Sequence, residues 1–215
     1  MAQHWLGYDM KILNLYAGIG GNRKLWGDEH DVTAVEYDEN IANAYKGRYP
    51  KDNIIIGDAS KYLIENYLNY DFIWASPPCQ SHSKIVNSQY TRESYVPKFP
   101  DMTLYQIILF MQGHGRNCKW VVENVIPYYE PLIKPGAAID RHFYWSNFTI
   151  KPLDVKKEYI IKNVTIDTLK DFDITKFKIK NKRQVIRNQV NYEIGLHILN
   201  CALGHQQPVN FGLFE

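Results

Sequence analysis

The sequence is poor in cysteine: Cys79, Cys118 and Cys201 are all it has among 215 residues. The number is odd, the three lie far apart, and none belongs to a C-x-x-C or a paired-histidine spacing. That pattern argues against a disulfide framework and a structural zinc centre, so no metal is expected, and it fits a reducing compartment. Long apolar runs are also missing. No stretch approaches the ~18 apolar residues of a membrane span. The opening MAQHWLGYDM lacks the basic start and apolar run of a signal peptide. Nor is there a surplus of charge: 25 basic and 23 acidic residues leave a net +2. Affinity for nucleic acid would therefore have to come from a local patch. What remains is 45% hydrophobic and 22% charged, the composition of one globular domain with a real core. Sixteen tyrosines suit a stacking surface and a tyrosine-rich core equally.

Short apolar runs alternate with helical patterns. KILNLY (11–16), DVTAVEY (31–37), NIIIG (53–57), DFIWA (71–75) and KWVVENV (119–125) read as strands. DENIANAYKGRY, ASKYLIENYL, MTLYQIILFMQGHG and NYEIGLHILNCAL have helical period, with Asp38 as an N-cap of the first. Continuous apolar strands separated by helices imply an α/β fold with a doubly wound, mostly parallel sheet covered on both faces. Ligands of such folds collect at the carboxyl ends of the strands. Two stretches break the alternation: the polar, aromatic and basic segment 81–101, and the lysine-rich stretch after residue 148. A loop as long as the first is usually functional or disordered.

Three strand ends carry candidate ligand groups. Gly18, Gly20 and Gly21 follow the first strand, where glycine lets backbone turn tightly and approach a ligand. Glu36 ends the second, placed to accept from ribose hydroxyls, and Asp58 follows the third, placed to accept from an exocyclic amine. Each acid alone could equally be a helix N-cap. The glycine turn lacks the Lys-Ser/Thr ending of a phosphate-cradling loop. A nucleoside cofactor without phosphates, such as an adenosyl sulfonium, suits this set better than a dinucleotide. At the end of the fourth strand, Pro77 and Pro78 lead into Cys79. An isolated cysteine is more often a buried hydrophobe than a nucleophile. Here the prolines fix the turn and no apolar segment follows until about residue 102, so the thiol is expected to be accessible.

SPPCQSHS resembles the Pro-Cys-Gln signature of the DNA cytosine-5 methyltransferases. Other signatures follow in that family's order: NLYAGIGG, with Tyr16 where phenylalanine is usual, then VEYD, GDAS, VVENV and the late RQVIRNQV. The resemblance implies a Rossmann-like methyltransferase fold using S-adenosylmethionine. It implies that Tyr16, Gly18, Gly20, Gly21, Glu36, Tyr37, Asp58, Ala59, Pro77 and Asn188 hold that cofactor. Cys79 would add to carbon 6 of a flipped-out cytosine, so that carbon 5 becomes nucleophilic. Glu123 would bind the N3 and amine edge and supply a proton, and Arg141 would contact the base. Gln80, Ser81, Ser83, Lys84 and Asn124 are the implied substrate contacts, with Arg92 and Lys98 adding local charge. Asn124 reads more as a support for the loop than as a contact.

The chain departs from the family pattern in three further places. Phe143 stands where a second arginine is usual, and Arg187 where glycine usually precedes Asn188. The span available for target recognition is short. The expected division is a catalytic and cofactor-binding domain over 1–148, a recognition insert over 149–182, and a segment over 183–215 that packs back. So small an insert builds little core alone. The implied partner is double-stranded DNA, with a restriction endonuclease as a companion. A monomer or weak dimer is expected in the cytoplasm of a bacterial, archaeal or phage-infected cell, with no membrane role. Transfer RNA as substrate and a non-catalytic DNA-binding role are the competing readings.

Overall fold

A computed structural model describes residues 9–84, 96–155 and 172–204. Five strands, β1 (Lys11–Leu15), β2 (Asp31–Glu36), β3 (Asn53–Ile56), β4 (Phe72–Ala75) and β5 (Lys119–Val125), form the parallel part of one sheet. Helices α1 (Glu39–Arg48), α2 (Ala59–Asn66) and α3 (Thr103–His114) connect them. β6 (Ala137–Ile139) and β7 (His142–Ser146) complete the described strands, followed by α4 (Lys182–Arg187) and α5 (Tyr192–Ala202). The order is β3-β2-β1-β4-β5-β7-β6, with β7 antiparallel to both its neighbours. The fold is α/β, doubly wound and Rossmann-like.

Alternation along each strand divides the core between the two faces. Leu13, Leu15, Ile73, Ala75 and Val122 meet Leu63 of α2 and Leu104, Ile108 and Met111 of α3. Ile12, Val32, Phe72, Trp74, Val121 and Tyr144 meet Trp26 and Ile194, Ile198 and Leu199 of α5. With both faces covered, no strand of the centre has a polar side to spare, which is why β4 is buried throughout. Strand direction from β1 runs outward to β2 and β3, then returns to β4 and β5 on the other side. The crevice of such a sheet opens between β1 and β4, beyond their carboxyl ends. The glycine turn leaves β1 there, and the Cys79 turn leaves β4 beside it.

Three features were not legible as elements in the sequence. β6 and β7 form a hairpin whose two-residue turn is Asp140-Arg141, with Asp140 at φ 52°. Aspartate tolerates this left-handed conformation better than most residues. α4 occupies the late RQVIRNQV region and is N-capped by Asn181, which accepts from the Gln184 N–H. The flanks of the expected insert are also integrated with the sheet domain. Ile150, Leu153 and Val155 join the α5-side core, and Ile174 and Ile179 pack with Ile19 and Ala44. Each flank thus anchors a few apolar side chains in the core, while Lys151, Asp154, Asp173 and Lys178 between them stay exposed. Arg92 and four of the insert's lysines (Lys156, Lys157, Lys162, Lys170) lie outside the described residues. Among the described residues no helix is long and apolar enough to cross a membrane.

Candidate active site

An open cleft of about 2010 Å³ runs along the carboxyl ends of β1, β2, β3, β4 and β5. Its cofactor side begins at the glycine turn. Gly18 takes φ 55°, and a side chain there would meet no atom within 4 Å, so the backbone faces the open cleft. Tyr16 also has φ 56°, a costly conformation for an aromatic residue. Its hydroxyl is held by Ser60 Oγ at 2.7 Å. Glu36 Oε2 accepts from the Gly18 N–H at 2.9 Å and Oε1 from the Asp38 N–H at 3.0 Å. Burial raises its pKa while these backbone donors pull it back. Tyr37 is 81% exposed next to it and offers a bare ring. Gly21 and Asn188 line the cleft, as do Asp58, Ala59 and Pro77.

Both readings of the acids meet in Asp58. Its Oδ1 caps α2, accepting from the Ser60 and Lys61 N–H groups at 2.8 and 3.1 Å, and the residue still lines the cleft. Glu36 caps no helix; Asp38 does that for α1. Gly20 departs from expectation. Its φ is 72°, and a Cβ would lie 2.4 Å from Tyr49 and 2.7 Å from Tyr45, so it packs behind the turn and does not line the cleft.

On the catalytic side, Cys79 is half-buried rather than freely accessible. Burial, reinforced by the charge of Glu123, pushes its thiol up to about 11, and Arg141 opposes this. At pH 7 a group with that pKa is thiolate in only about one molecule in 10,000. Glu123 is buried on β5, and its Oε1 lies 3.3 Å from His142 Nε2 on β7. Arg141 is carried to the cleft by the β6–β7 turn, its side chain 61% exposed and 3.6 Å from Asp140. Gln80, Ser81, Ser83 and Lys84 also line the cleft. Asn124 does not: it is 1% exposed and donates to the Pro77 carbonyl at 3.0 Å. Its place among the substrate contacts is corrected accordingly. It locks the strand-end turn from below, because its side chain points into the sheet rather than the crevice.

The sequence pattern does not single out His142, the neighbour of Glu123, although it lies beside the notable Arg141. Asn14 and Asn22 are likewise unmarked. They exchange amide hydrogen bonds at 2.9 and 3.3 Å beneath the glycine turn, both buried and both at the cleft wall. Only the polar interruption of the otherwise apolar β1 hints at Asn14. The wall is completed from the chain's end: Gly21 abuts the Val190 carbonyl and Gly195 abuts Asn22. Trp26 Nε1 donates to the Gly195 carbonyl at 3.2 Å. Among the described residues no cluster of His, Cys, Asp or Glu could hold a metal ion.

Residues 10–96 match the sequence profile described as C-5 cytosine-specific DNA methylase. A tRNA (cytosine(38)-C(5))-methyltransferase of Spodoptera frugiperda is 34% identical over 156 residues, which are 67% of this chain and 45% of that protein. This chain belongs to the C-5 cytosine methylase family. It spans less than half the length of that curated relative. Among solved structures, a mutant DNMT2 of S. frugiperda is similar at 26% identity and a TM-score of 0.38, covering 54% of this chain and 35% of that one. The Entamoeba histolytica methyltransferase EhMeth is similar at 18% and 0.37, covering 55% and 39%.

The family's cofactor is S-adenosylmethionine, and the cleft fits it. The fit rests on the open face of Gly18, the carboxylates of Glu36 and Asp58 at neighbouring strand ends, and the exposed Tyr37 ring. Glu36 would receive the ribose hydroxyls, and Asp58, whose Oδ1 already caps α2, an amine.

Proposed function

We propose that this chain methylates carbon 5 of cytosine in DNA, using Cys79 as a covalent nucleophile. The observation that carries the reading is the grouping of Cys79, Glu123 and Arg141 in one cleft with the glycine turn. Each of the two charged groups acts on the thiol in the opposite sense.

S-adenosylmethionine supplies an electrophilic methyl group; the protein must make carbon 5 electron-rich. The Cys79 sulfur, once deprotonated, forms a bond to carbon 6, and the displaced electron pair runs through the ring to carbon 5. Glu123 donates a proton to N3, which keeps the adduct from accumulating negative charge. Carbon 5 would then take the methyl group as the methyl–sulfonium bond breaks, its electron pair staying on the cofactor's sulfur. Loss of the carbon 5 proton to a base returns the electron pair, and the sulfur–carbon 6 bond breaks to restore the aromatic ring. A resting thiol near 11 is protected from adventitious chemistry. A base whose N3 accepts from Glu123 favours uptake of a solvent proton by that carboxylate, which removes part of what holds the thiol protonated and supplies the proton later given to N3.

For duplex DNA the target must leave the stack. Lys84, Lys98 and Arg141 supply positive charge at the cleft. Phe99, 94% exposed between Lys98 and Pro100 on the same wall, offers a stacking face. A second reading, methylation of a transfer RNA cytosine, is favoured by the activity for which the S. frugiperda relative is named.

The deciding experiment presents 5-fluorocytosine in duplex DNA and in structured RNA to the protein with S-adenosylmethionine. A denaturant-resistant adduct on DNA, absent in Cys79→Ser, supports the first reading. An adduct on RNA alone replaces it with the second, and none on either overturns both.

A further inference from the structure

The residue three places after the nucleophile is a fully buried histidine whose every polar group is engaged. His82 is 0% exposed. Its N–H donates to the Cys79 carbonyl at 3.0 Å, and its carbonyl accepts from the Tyr128 N–H at 3.1 Å. Its ring bonds Asp101 through Nε2 at 2.9 Å and Tyr129 through Nδ1 at 2.5 Å.

The chemistry of the partners fixes the direction of these bonds. A peptide carbonyl only accepts, so Nε2 carries the hydrogen that reaches Asp101. Nδ1 of the neutral ring must then accept, and the Tyr129 hydroxyl donates to it. The Tyr129 oxygen in turn accepts from the Tyr105 hydroxyl at 3.3 Å, and the Tyr105 oxygen from the Leu132 N–H at 3.2 Å. The result is a one-way relay from the Leu132 N–H, through Tyr105 of α3, Tyr129 and His82, to the carbonyl of Asp101, two residues before α3 begins. Ser81 closes a parallel tie, its Oγ accepting from the Asp101 N–H at 2.9 Å. The Cys79 turn is thus bolted on two sides, to Asp101 and to Tyr128–Tyr129.

We propose that His82, in its neutral Nε2–H tautomer, is a positioning residue that fixes the Cys79 turn for attack on the base. The proposal rests on the reading of Cys79 as nucleophile. His82 touches neither cofactor nor base; it acts through the Cys79 carbonyl and the relay. The arrangement also has a built-in directionality. A protonated ring would aim a second donor at Tyr129, whose hydroxyl would have to turn toward Tyr105, displacing the hydrogen that Tyr105 now points at it. Among the described residues the titratable groups facing the ring are Asp101, Tyr105 and Tyr129. Burial lowers the His82 pKa. The ring therefore stays neutral through the ordinary histidine range, and its contribution is lost only as pH falls below that range, through its own lowered pKa.

The test compares His82→Phe, His82→Gln, Tyr129→Phe and the double variant His82→Phe/Tyr129→Phe in the full chain. His82→Phe keeps an aromatic ring, somewhat larger than imidazole, and deletes both nitrogens; His82→Gln restores a donor toward Asp101. We expect single-turnover methyl transfer to fall about 100-fold in His82→Phe and about 10-fold in Tyr129→Phe. Cofactor affinity stays within twofold, and His82→Gln recovers part of the loss. The double variant should be no slower than His82→Phe, because both changes cut the same relay. The rate of Cys79 alkylation by iodoacetamide should change in the same order as methyl transfer. Nitrogen-15 NMR of the wild-type ring should report the Nε2–H tautomer. An Nδ1–H ring, independent additive losses, or wild-type transfer in His82→Phe overturns the proposal. If His82→Phe does not fold, Tyr129→Phe and the tautomer decide. Should the wild-type chain transfer no methyl group, the function reading fails, while the tautomer and alkylation results still decide whether His82 sets the Cys79 turn.

Discussion

Glu123 and Cys79 oppose one another across the cleft: the buried carboxylate is, after burial itself, the main reason the thiol sits near 11. Yet the proposed chemistry needs both, the sulfur as thiolate and the carboxyl as proton donor. Only the charged carboxylate holds the thiol protonated; a base whose N3 accepts from Glu123 favours the neutral carboxyl and lifts that hold. On the proposed reading, the nucleophile is then most available when its substrate is present.

Replacing Glu123 by Gln removes the charge and keeps the shape. The Cys79 pKa should fall, so that iodoacetamide alkylation at pH about 9 becomes faster, while methyl transfer drops by about 100-fold or more. Alkylation followed against pH checks the sign. In the wild type the rate should keep rising toward about 11, and in the variant its midpoint should move down. An unchanged midpoint would mean the two groups are not coupled.

Arg141 has the reverse effect on the thiol. Arg141→Ala should raise the Cys79 midpoint and slow alkylation, because the cation that opposes Glu123 is gone. Folding should hardly change, since a surface ion pair such as that with Asp140 contributes only about 0–1 kcal/mol. Urea titration alongside the alkylation assay separates the two.

Gly18→Ala tests the cofactor side. The residue is at φ 55° with open space where the methyl would go, so the fold loses about 1 kcal/mol from backbone conformation alone. The methyl projects into the cleft, and calorimetric titration with S-adenosylmethionine should show affinity weakened by about tenfold or more. Equal affinity in the variant would place the cofactor elsewhere.

Asp52→Ala tests how the glycine turn is held. Asp52 accepts from Arg23 Nε and Nη2, both at 2.9 Å, and from the Tyr45 hydroxyl at 2.7 Å, all buried. Removing it strands the Arg23 guanidinium in the core, at a cost of about 3–5 kcal/mol. Thermal unfolding should show a large fall in Tm, and a shift of only a degree or two would mean that water reaches the pair.

Gly195→Ala probes the return of the chain's end to the turn. A methyl there would lie 2.3 Å from the Asn22 carbonyl, and backbone cannot yield as a flexible side chain can. Overpacking of this kind costs about 1–3 kcal/mol. The cofactor site should weaken with it, measured as a lower cofactor affinity at a temperature where the variant is still folded.

The sequence alone determined the five parallel strands and the helices between them, because continuous apolar runs and the glycine, aspartate and proline stops around them are local signals. Asp38 as a cap and the strand-end placement of Glu36, Asp58, Cys79 and Glu123 follow from the same local rules. Tertiary structure decided what those residues feel. Half-burial of Cys79 and the reach of Glu123 arise from strands whose paired residues lie 47 apart in sequence, and no local window of the chain contains that pairing. The same holds for Asn124 turning inward to Pro77, for Gly20 packing behind its turn, and for the bond from Tyr129 to His82. Short strands such as β6 and β7 also wait on the fold, since three to five residues carry too little pattern to declare a hairpin until a sheet edge receives it. Residue type sets what chemistry is available; burial and opposing charge, which depend on the whole packed sheet, set when it can act.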